Sequence, residues 1–417
     1  MLKTGPRASD REIAPSTLSA GNHGFAVAAG TLGWMLDAFD FFVVVFLLDA
    51  LAAHFAVSKS SIVASIALTL AMRPLGAALF GLLADRYGRR KPLMAVVAYF
   101  SLIEVLSGLA PNFTVFLALR GLFGIGMGGY WGVGASLAIE SAPVERRGLA
   151  SGLLQGGYPI GYLLAAVAAR LILPAWGWRP MFWAGLIPAA ITLYITSKAR
   201  EPEAWRHHHL PSVAGLIRVA AQHWRSFSYL LLLLTLMMFL SHGTQDLYPD
   251  FLKSAHHLSA NAAAYIAMIY NVGAVLGTIL IGYSSEHLGR RGGIIMALLL
   301  CIVMIPAWAF GRNLALLVGG AFLMQAGVQG AWGVIPAHLN ELSPDAVRSL
   351  FPGLVYQLGS LLGSPANNIE YALRDRLGYG WALTAFEGFT IAALIVVFAL
   401  GPERKGRSFL KEPAQAQ

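Results

Sequence analysis

Gly81-Leu-Leu-Ala-Asp85-Arg86-Tyr-Gly88-Arg89-Arg90 recurs 201 positions further on as Gly282-Tyr-Ser-Ser-Glu286-His287-Leu-Gly289-Arg290-Arg291. Each copy closes an apolar block with an acidic residue, a glycine and a pair of arginines. Two more matches fall at the same spacing. Glu140, Pro143 and Arg147 return as Glu341, Pro344 and Arg348, and Trp131-Gly132-Val133 returns as Trp332-Gly333-Val334. Three coincidences at one spacing define an internal repeat, so the chain reads as two halves in parallel orientation.

Around these motifs lie apolar blocks of the length that crosses a bilayer, about 20 residues each. Twelve of them run from Phe25 to Leu400, starting near residues 24, 60, 92, 113, 149, 179, 227, 261, 292, 313, 347 and 379. The chain is 57% hydrophobic and 12% charged, against about 25% charged in soluble domains. The fold class is therefore an all-α membrane protein, with twelve transmembrane helices in two six-helix bundles. The division is a tail (1–23), a first bundle (24–198), a linker (199–226), a second bundle (227–401) and a second tail (402–417).

The net charge of +9 invites a nucleic-acid reading, which its distribution removes. With the N-terminus placed in the cytoplasm, 21 of the 30 Lys and Arg residues fall in cytoplasmic segments and seven on the other side. Only Arg73 and Arg120 lie within spans. That bias is the positive-inside rule. Both termini and the linker are expected in the cytoplasm, in a cell (inner or plasma) membrane. Residues Met1 to Asn22 lack a signal-peptide pattern, so the first span is expected to act as its own insertion signal.

Ionisable residues inside spans are the sharpest signals, because an arginine at mid-bilayer costs about 2.5–3.5 kcal/mol and needs a cavity or a partner. Arg73 sits mid-span before Pro74, a fixed cation whose planar fork suits a carboxylate; a structural pair with Asp37 or Asp40 is the other reading. Arg120 reads as a packing anchor. Asp37 and Asp40 are one turn apart on the first span and cannot cheaply both stay ionised in a dry site. Proton coupling and a structural ion pair are both open for them, and Glu104 carries a weaker form of the same argument. In the seventh span His242, Gln245 and Asp246 fall at i, i+3 and i+4 and share a face. Gly243 and Pro249 allow that helix to break. The crowded glycines of the fourth and fifth spans, Gly121 to Gly129 and Gly152 to Gly161, read as close helix packing; no strand precedes them, so a nucleotide loop is excluded.

Asp85, Arg86, Arg89 and Arg90, with Glu286 and Arg290 in the second copy, sit at helix ends, where an acid can bond a neighbouring helix N-terminus or an arginine. They read as a gate together with Glu140, Arg147, Glu341 and Arg348, chiefly because the motif recurs in both halves; a basic topology anchor is the other reading and is compatible with it.

The repeat and the Gly81–Arg90 loop resemble the major facilitator superfamily over nearly the whole chain. Ser241-His242-Gly-Thr244-Gln245-Asp246 is similar to the signature of the carboxylate (lactate/pyruvate permease) branch of the sialate:proton symporter family, as are Asp37-Ala-Phe-Asp40-Phe-Phe and Val355-Tyr356-Gln357-Leu358-Gly359. Two positions depart from the fungal form: Met238 replaces an asparagine and Asp250 a threonine. The resemblance implies alternating access between two bundles around a midplane site and proton-coupled symport of a small monocarboxylate. Arg73, His242, Gln245, Gln357, Ser241 and Tyr356 would bind the anion, and Asp246, Asp37 and Asp40 would handle the proton. A sialic acid or aromatic acid substrate is the alternative within the fold, and a non-transporting membrane sensor the alternative outside it.

No nucleophile–base pair or metal cluster is visible, so an enzyme is not expected, and neither is a cofactor. Cys301 is the one cysteine and has no partner within the chain. His207-His208-His209 and His256-His257 read as solvated rather than as metal ligands. The expected partners are a small organic anion, a proton and the lipid bilayer, with the chain acting as a monomer.

Overall fold

The computed structural model describes residues 20–206 and 212–410. The histidine triplet and most of the first tail therefore lie outside the described residues. In lipid every backbone polar group must be satisfied within its own segment, and the apolar blocks accordingly form helices. These are α1 (Ala20–Phe46), α2 (Lys59–Tyr87), α3 (Arg90–Gly108), α4 (Phe113–Ser141), α5 (Arg147–Trp176) and α6 (Arg179–Lys198). After the connection come α7 (Trp224–Gln245), α8 (260–288), α9 (290–310), α10 (Leu314–Leu342), α11 (Leu350–Gly363, continued by Ala366–Leu377) and α12 (Tyr379–Leu400).

By length and composition alone, 10 helices among the described residues could cross a membrane; two features bring the number of spans to twelve. The 51-residue helix Ala260–Phe310 contains Gly289 at φ 83°, ψ 163°, which breaks it into α8 and α9. The span α11 breaks at Ser364-Pro365, and its second part carries Asn367, Asn368, Glu370, Arg374, Asp375 and Arg376. That composition is too polar for a hydropathy criterion.

The repeat extends to the caps. Ser58 accepts from the Ser61 N–H and Ser259 from the Ala262 N–H; Asn112 accepts from Val115 and Asn313 from Leu316. Each satisfies one orphan donor at a helix start. Gly88 at φ 101° and Gly289 at φ 83° end α2 and α8 in a conformation that glycine adopts without a side-chain penalty. Glu201 then accepts from the backbone N–H groups of Arg89 and Arg90 (2.7 and 3.1 Å), and Glu403 from that of Arg291 (2.9 Å).

The two halves meet chiefly through α2 against α11 and through α5 against α8 and α10. Close approach depends on small residues: a Cβ on Gly148 or Gly152 would strike the carbonyl oxygen of Gly282 or Thr278. Outward-facing Leu75, Leu171, Ile187, Val303, Phe389 and Leu400 are exposed, an apolar surface suited to lipid rather than water.

Candidate functional site

Arg73 is buried, with 6% of its surface exposed. Among the described residues it forms no salt bridge, and its Nε is buried without a hydrogen-bond partner. The guanidinium carbon lies 6.0 Å from the centre of the Tyr356 ring. Asp37, Tyr158 and His242 are its other electrostatic neighbours. Gly128 brings α4 against α2 here, since any Cβ would collide with the Arg73 carbonyl. Crowded glycines thus help to bury the cation.

The facing wall comes from α7. His242 Nδ1 lies 2.9 Å from Asp246 Oδ2, which also accepts from Asn367 Nδ2 at 2.9 Å. The His242 and Asp246 side chains remain 35% and 37% exposed, so this wall is reachable by water. The helix ends at Gln245 and resumes as Tyr248–Ser254 with Pro249 in its first turn; Gly243 stays helical, and the break falls at Asp246-Leu247. Gln245 does not join His242 and Asp246. It turns to α10 and donates to Gln325 Oε1 (2.7 Å), whose amide donates to the Thr244 carbonyl (3.2 Å). Ser241 Oγ accepts from Trp332 Nε1 at 2.6 Å.

Tyr356 closes the site towards the loop-motif end. It stacks on Trp131 with centroids 4.3 Å apart and meets Trp34 and Trp332 at 6.0 and 5.6 Å. Next to it on α11, Gln357 Nε2 donates to the Gly128 carbonyl at 3.3 Å, and its Oε1 is buried without a partner among the described residues. The repeated tryptophans, one from each half, therefore both pack on Tyr356.

Asp37 and Asp40 diverge, as positions three apart on a helix point about 60° from each other. Beside Arg73, both Asp37 oxygens are buried without hydrogen-bond partners among the described residues. Asp40 turns into the first bundle, against Gly185 and near Glu104 and Arg120. There Glu104 pairs with Arg120, whose Nη2 also donates to Ser107 Oγ at 2.6 Å and whose guanidinium lies over Phe123 at 4.5 Å. Arg120 is thus held by protein groups.

At the loop-motif end the halves exchange carboxylates. Asp85 accepts from the Ser349 and Leu350 N–H groups, both at 2.9 Å, at the start of α11. Glu286 accepts from the Gly148 N–H at the start of α5. Arg89 bonds Asp85 (2.7 Å) and Glu140 (2.8 Å), while Arg290 bonds Glu286 (3.3 Å) and Glu341 (3.0 Å). Crossing pairs join Arg348 to Glu140 at 3.3 Å and Arg147 to Glu341 at 4.0 Å. Phe409 lies under both arginines, at 3.6 Å from Arg147 and 4.0 Å from Arg348. Arg90 stays within its own half on the Ser197 carbonyl (2.7 Å), and Arg86 lies over Tyr87 at 5.9 Å.

Several central groups escape the motif-based reading: Tyr158, Gln325, Trp332 as a donor, Asn367, and the buried Glu370 and Glu387. Glu387 had a usable signal, an acid within the apolar run Trp381 to Leu400. A cavity of 470 Å³ lies elsewhere, between α7 and α12 beside Arg225, Tyr229 and Arg404.

Two six-helix bundles, clamped together at one end around a buried polar centre, define a membrane solute carrier. The chain belongs to the major facilitator superfamily: that family's profile matches residues 30–245, and the profile described as "Sugar (and other) transporter" matches residues 228–403. It is a multi-pass membrane transporter and not an enzyme. A "Carboxylic acid transporter protein homolog" of Saccharomyces cerevisiae is 32% identical over 83% of this chain, which spans 61% of that relative's length. The sialic acid transporter NanX of Escherichia coli is 25% identical over 86% of this chain and 89% of its own. Among solved structures, the proton:xylose symporter XylE superposes with a TM-score of 0.76 at 19% identity, covering 94% of this chain and 98% of that one. At that identity the likeness concerns the fold.

Proposed function

We propose that this protein is a proton-coupled symporter of a small monocarboxylate, of the lactate or pyruvate type, working by alternating access as a monomer. The observation that carries this reading is Arg73, a buried guanidinium that forms no salt bridge among the described residues. A substrate carboxylate supplies the missing charge and can accept two N–H bonds from the guanidinium. Tyr356 and Gln357 border the carboxylate site, and His242 faces it from the second bundle. Asp246 handles the proton in contact with water, and Asp37 balances Arg73 when the anion leaves. Coupling follows from cost: the fully loaded or empty site reorients, whereas a half-loaded site carries an uncompensated charge through a dry passage.

Placing the arginine-rich end in the cytoplasm follows from the charge bias, which makes the present arrangement outward-facing: clamped below by Asp85 and Glu286, reachable above at His242 and Asp246. A cell membrane location with cytoplasmic termini belongs to the same reading.

A larger substrate is favoured by one specific feature, the four aromatic rings of Trp34, Trp131, Trp332 and Tyr356 beneath Arg73, against which a planar ring can stack. The name of the Escherichia coli relative supports sialic acid as a further candidate. Purified protein in liposomes, with an imposed pH gradient (interior alkaline) and a panel of labelled acids, tests all three. Lactate or pyruvate accumulating against its gradient supports the proposal. Uptake indifferent to the pH gradient, or restricted to sialic or aromatic acids, overturns it.

A further inference from the structure

Where α7 meets α11 and α12, the second bundle encloses two more acids. Glu387 of α12 and Glu370 of α11 are both 0% exposed, and all four carboxyl oxygens are buried without a hydrogen-bond partner. Neither forms a salt bridge among the described residues. Glu387 Oε1 occupies the space beside Gly243 into which a Cβ would project. One turn along α12, Thr390 Oγ1 is also buried and unpartnered, at 1% exposure. This is a cluster of buried polar groups inside a membrane bundle, unpaired among the described residues.

The titratable groups facing it are few. From α7 comes Asp246, bonded to His242; from α9 the thiol of Cys301; from α11 Glu370. Asn367, which donates to Asp246, lies one turn before Glu370 on the same face of α11. The acids thus form a file from the water-reachable Asp246 through Glu370 to Glu387. The repeat makes the file informative. At the 201-residue offset, the first half carries Ala169 and Leu186 in place of Glu370 and Glu387. The architecture is therefore built without carboxyls at these positions, and their presence in the second half needs another explanation.

We propose that Glu387, fed through Glu370, is a proton-binding site of the carrier, and that its occupancy decides whether the second bundle can reorient. An ionised carboxylate with neither donor nor counter-ion is strongly disfavoured in a dry interior, so Glu387 holds a proton in the present state. The proton comes from the water-reachable Asp246 and is given up when the far side opens to Glu387. The acceptor chemistry is that of a proton rather than a metal: among the described residues no three His, Cys, Asp or Glu side chains converge so as to hold a metal ion.

This inference rests on the proton-coupled reading, and its test separates the two. Accumulation driven by a pH gradient and counterflow exchange are compared in liposomes for the wild type, Glu387→Gln and Glu370→Gln. Expected is a loss of accumulation roughly tenfold greater than any loss of counterflow. Wild-type protein that fails to accumulate any acid overturns the functional reading and this site with it. Wild-type accumulation matched by Glu387→Gln overturns the site alone. Should a variant be inactive in both assays, proton uptake on adding the anion to purified protein in weakly buffered detergent decides. Uptake reduced in Glu387→Gln supports the site and unchanged uptake overturns it. Accumulation that follows a sodium gradient and requires Glu387 overturns the proton assignment.

Discussion

Asp85, at the end of α2, closes the first turn of α11 in the other half by accepting the Ser349 and Leu350 N–H groups. A carboxylate there meets both the unsatisfied donors and the positive end of the helix dipole. Charge-assisted bonds of this kind contribute about 1.5–3 kcal/mol each. Replacing Asp85 by Asn is expected to shift the population roughly 10-fold or more towards the state open at this end. Spin-label distances across the loop-motif end measure it, and the buried Cys301 leaves the labelling background low. An unchanged distance distribution removes Asp85 from the gate.

Arg73→Gln is expected to weaken anion binding by about 2–5 kcal/mol, the scale for truncating one member of a buried charged pair. Quenching of Trp131 and Trp34 fluorescence by titrated lactate provides the readout. Arg73→Lys keeps the charge but not the planar fork, so intermediate affinity is expected. Affinity equal to wild type in the Gln variant takes Arg73 out of the site.

Asp246→Asn removes the water-reachable acid that bonds His242. Uphill accumulation in a pH gradient is expected to disappear, and uptake down a concentration gradient to lose its dependence on external pH. Full pH-driven accumulation in this variant refutes its part in proton transfer.

Gly152→Ala places a methyl group against the Thr278 carbonyl across the interface between the halves. Overpacking of this kind costs about 1–3 kcal/mol, and it acts only while the loop-motif end is closed. The same spin-label pair is expected to report opening, without the charge change of the Asp85 variant. A closed distribution identical to wild type shows that α5 and α8 can give way here.

Arg120→Met leaves Glu104 buried and unpaired, a loss of about 3–5 kcal/mol. Thermal unfolding in detergent is expected to fall sharply, and the double variant with Glu104→Leu to recover most of it. Equal melting of the single variant and wild type contradicts a structural pair.

The spans were legible because lipid imposes length and apolarity on each one. The block read from 92 begins as a helix at Arg90, and that read from 149 begins at Arg147. The eleventh span was harder: the part after Pro365 carries Asn367, Glu370 and three further charges, yet it packs on α7 and α12 with Ala366 and Glu370 buried. Asp85's partner at a helix N-terminus could be foreseen in kind, since helix ends attract anions, but not in identity. The placement of Gln245 was not legible. Spacing alone puts it on the His242 face, and only the position of Gln325 on α10 turns it away. Glu387 met the same criterion as Arg73, a charge within an apolar run, but no motif drew attention to it.

Each half lends the other one acid, Asp85 to α11 and Glu286 to α5. The two clasps are mutual, and releasing one leaves the other still buttoned, with a stranded helix end on the opened side. Such a device favours letting go of both together. A carrier fastened in this way spends little time ajar, which keeps stray ions from slipping between the bundles while the passenger changes sides.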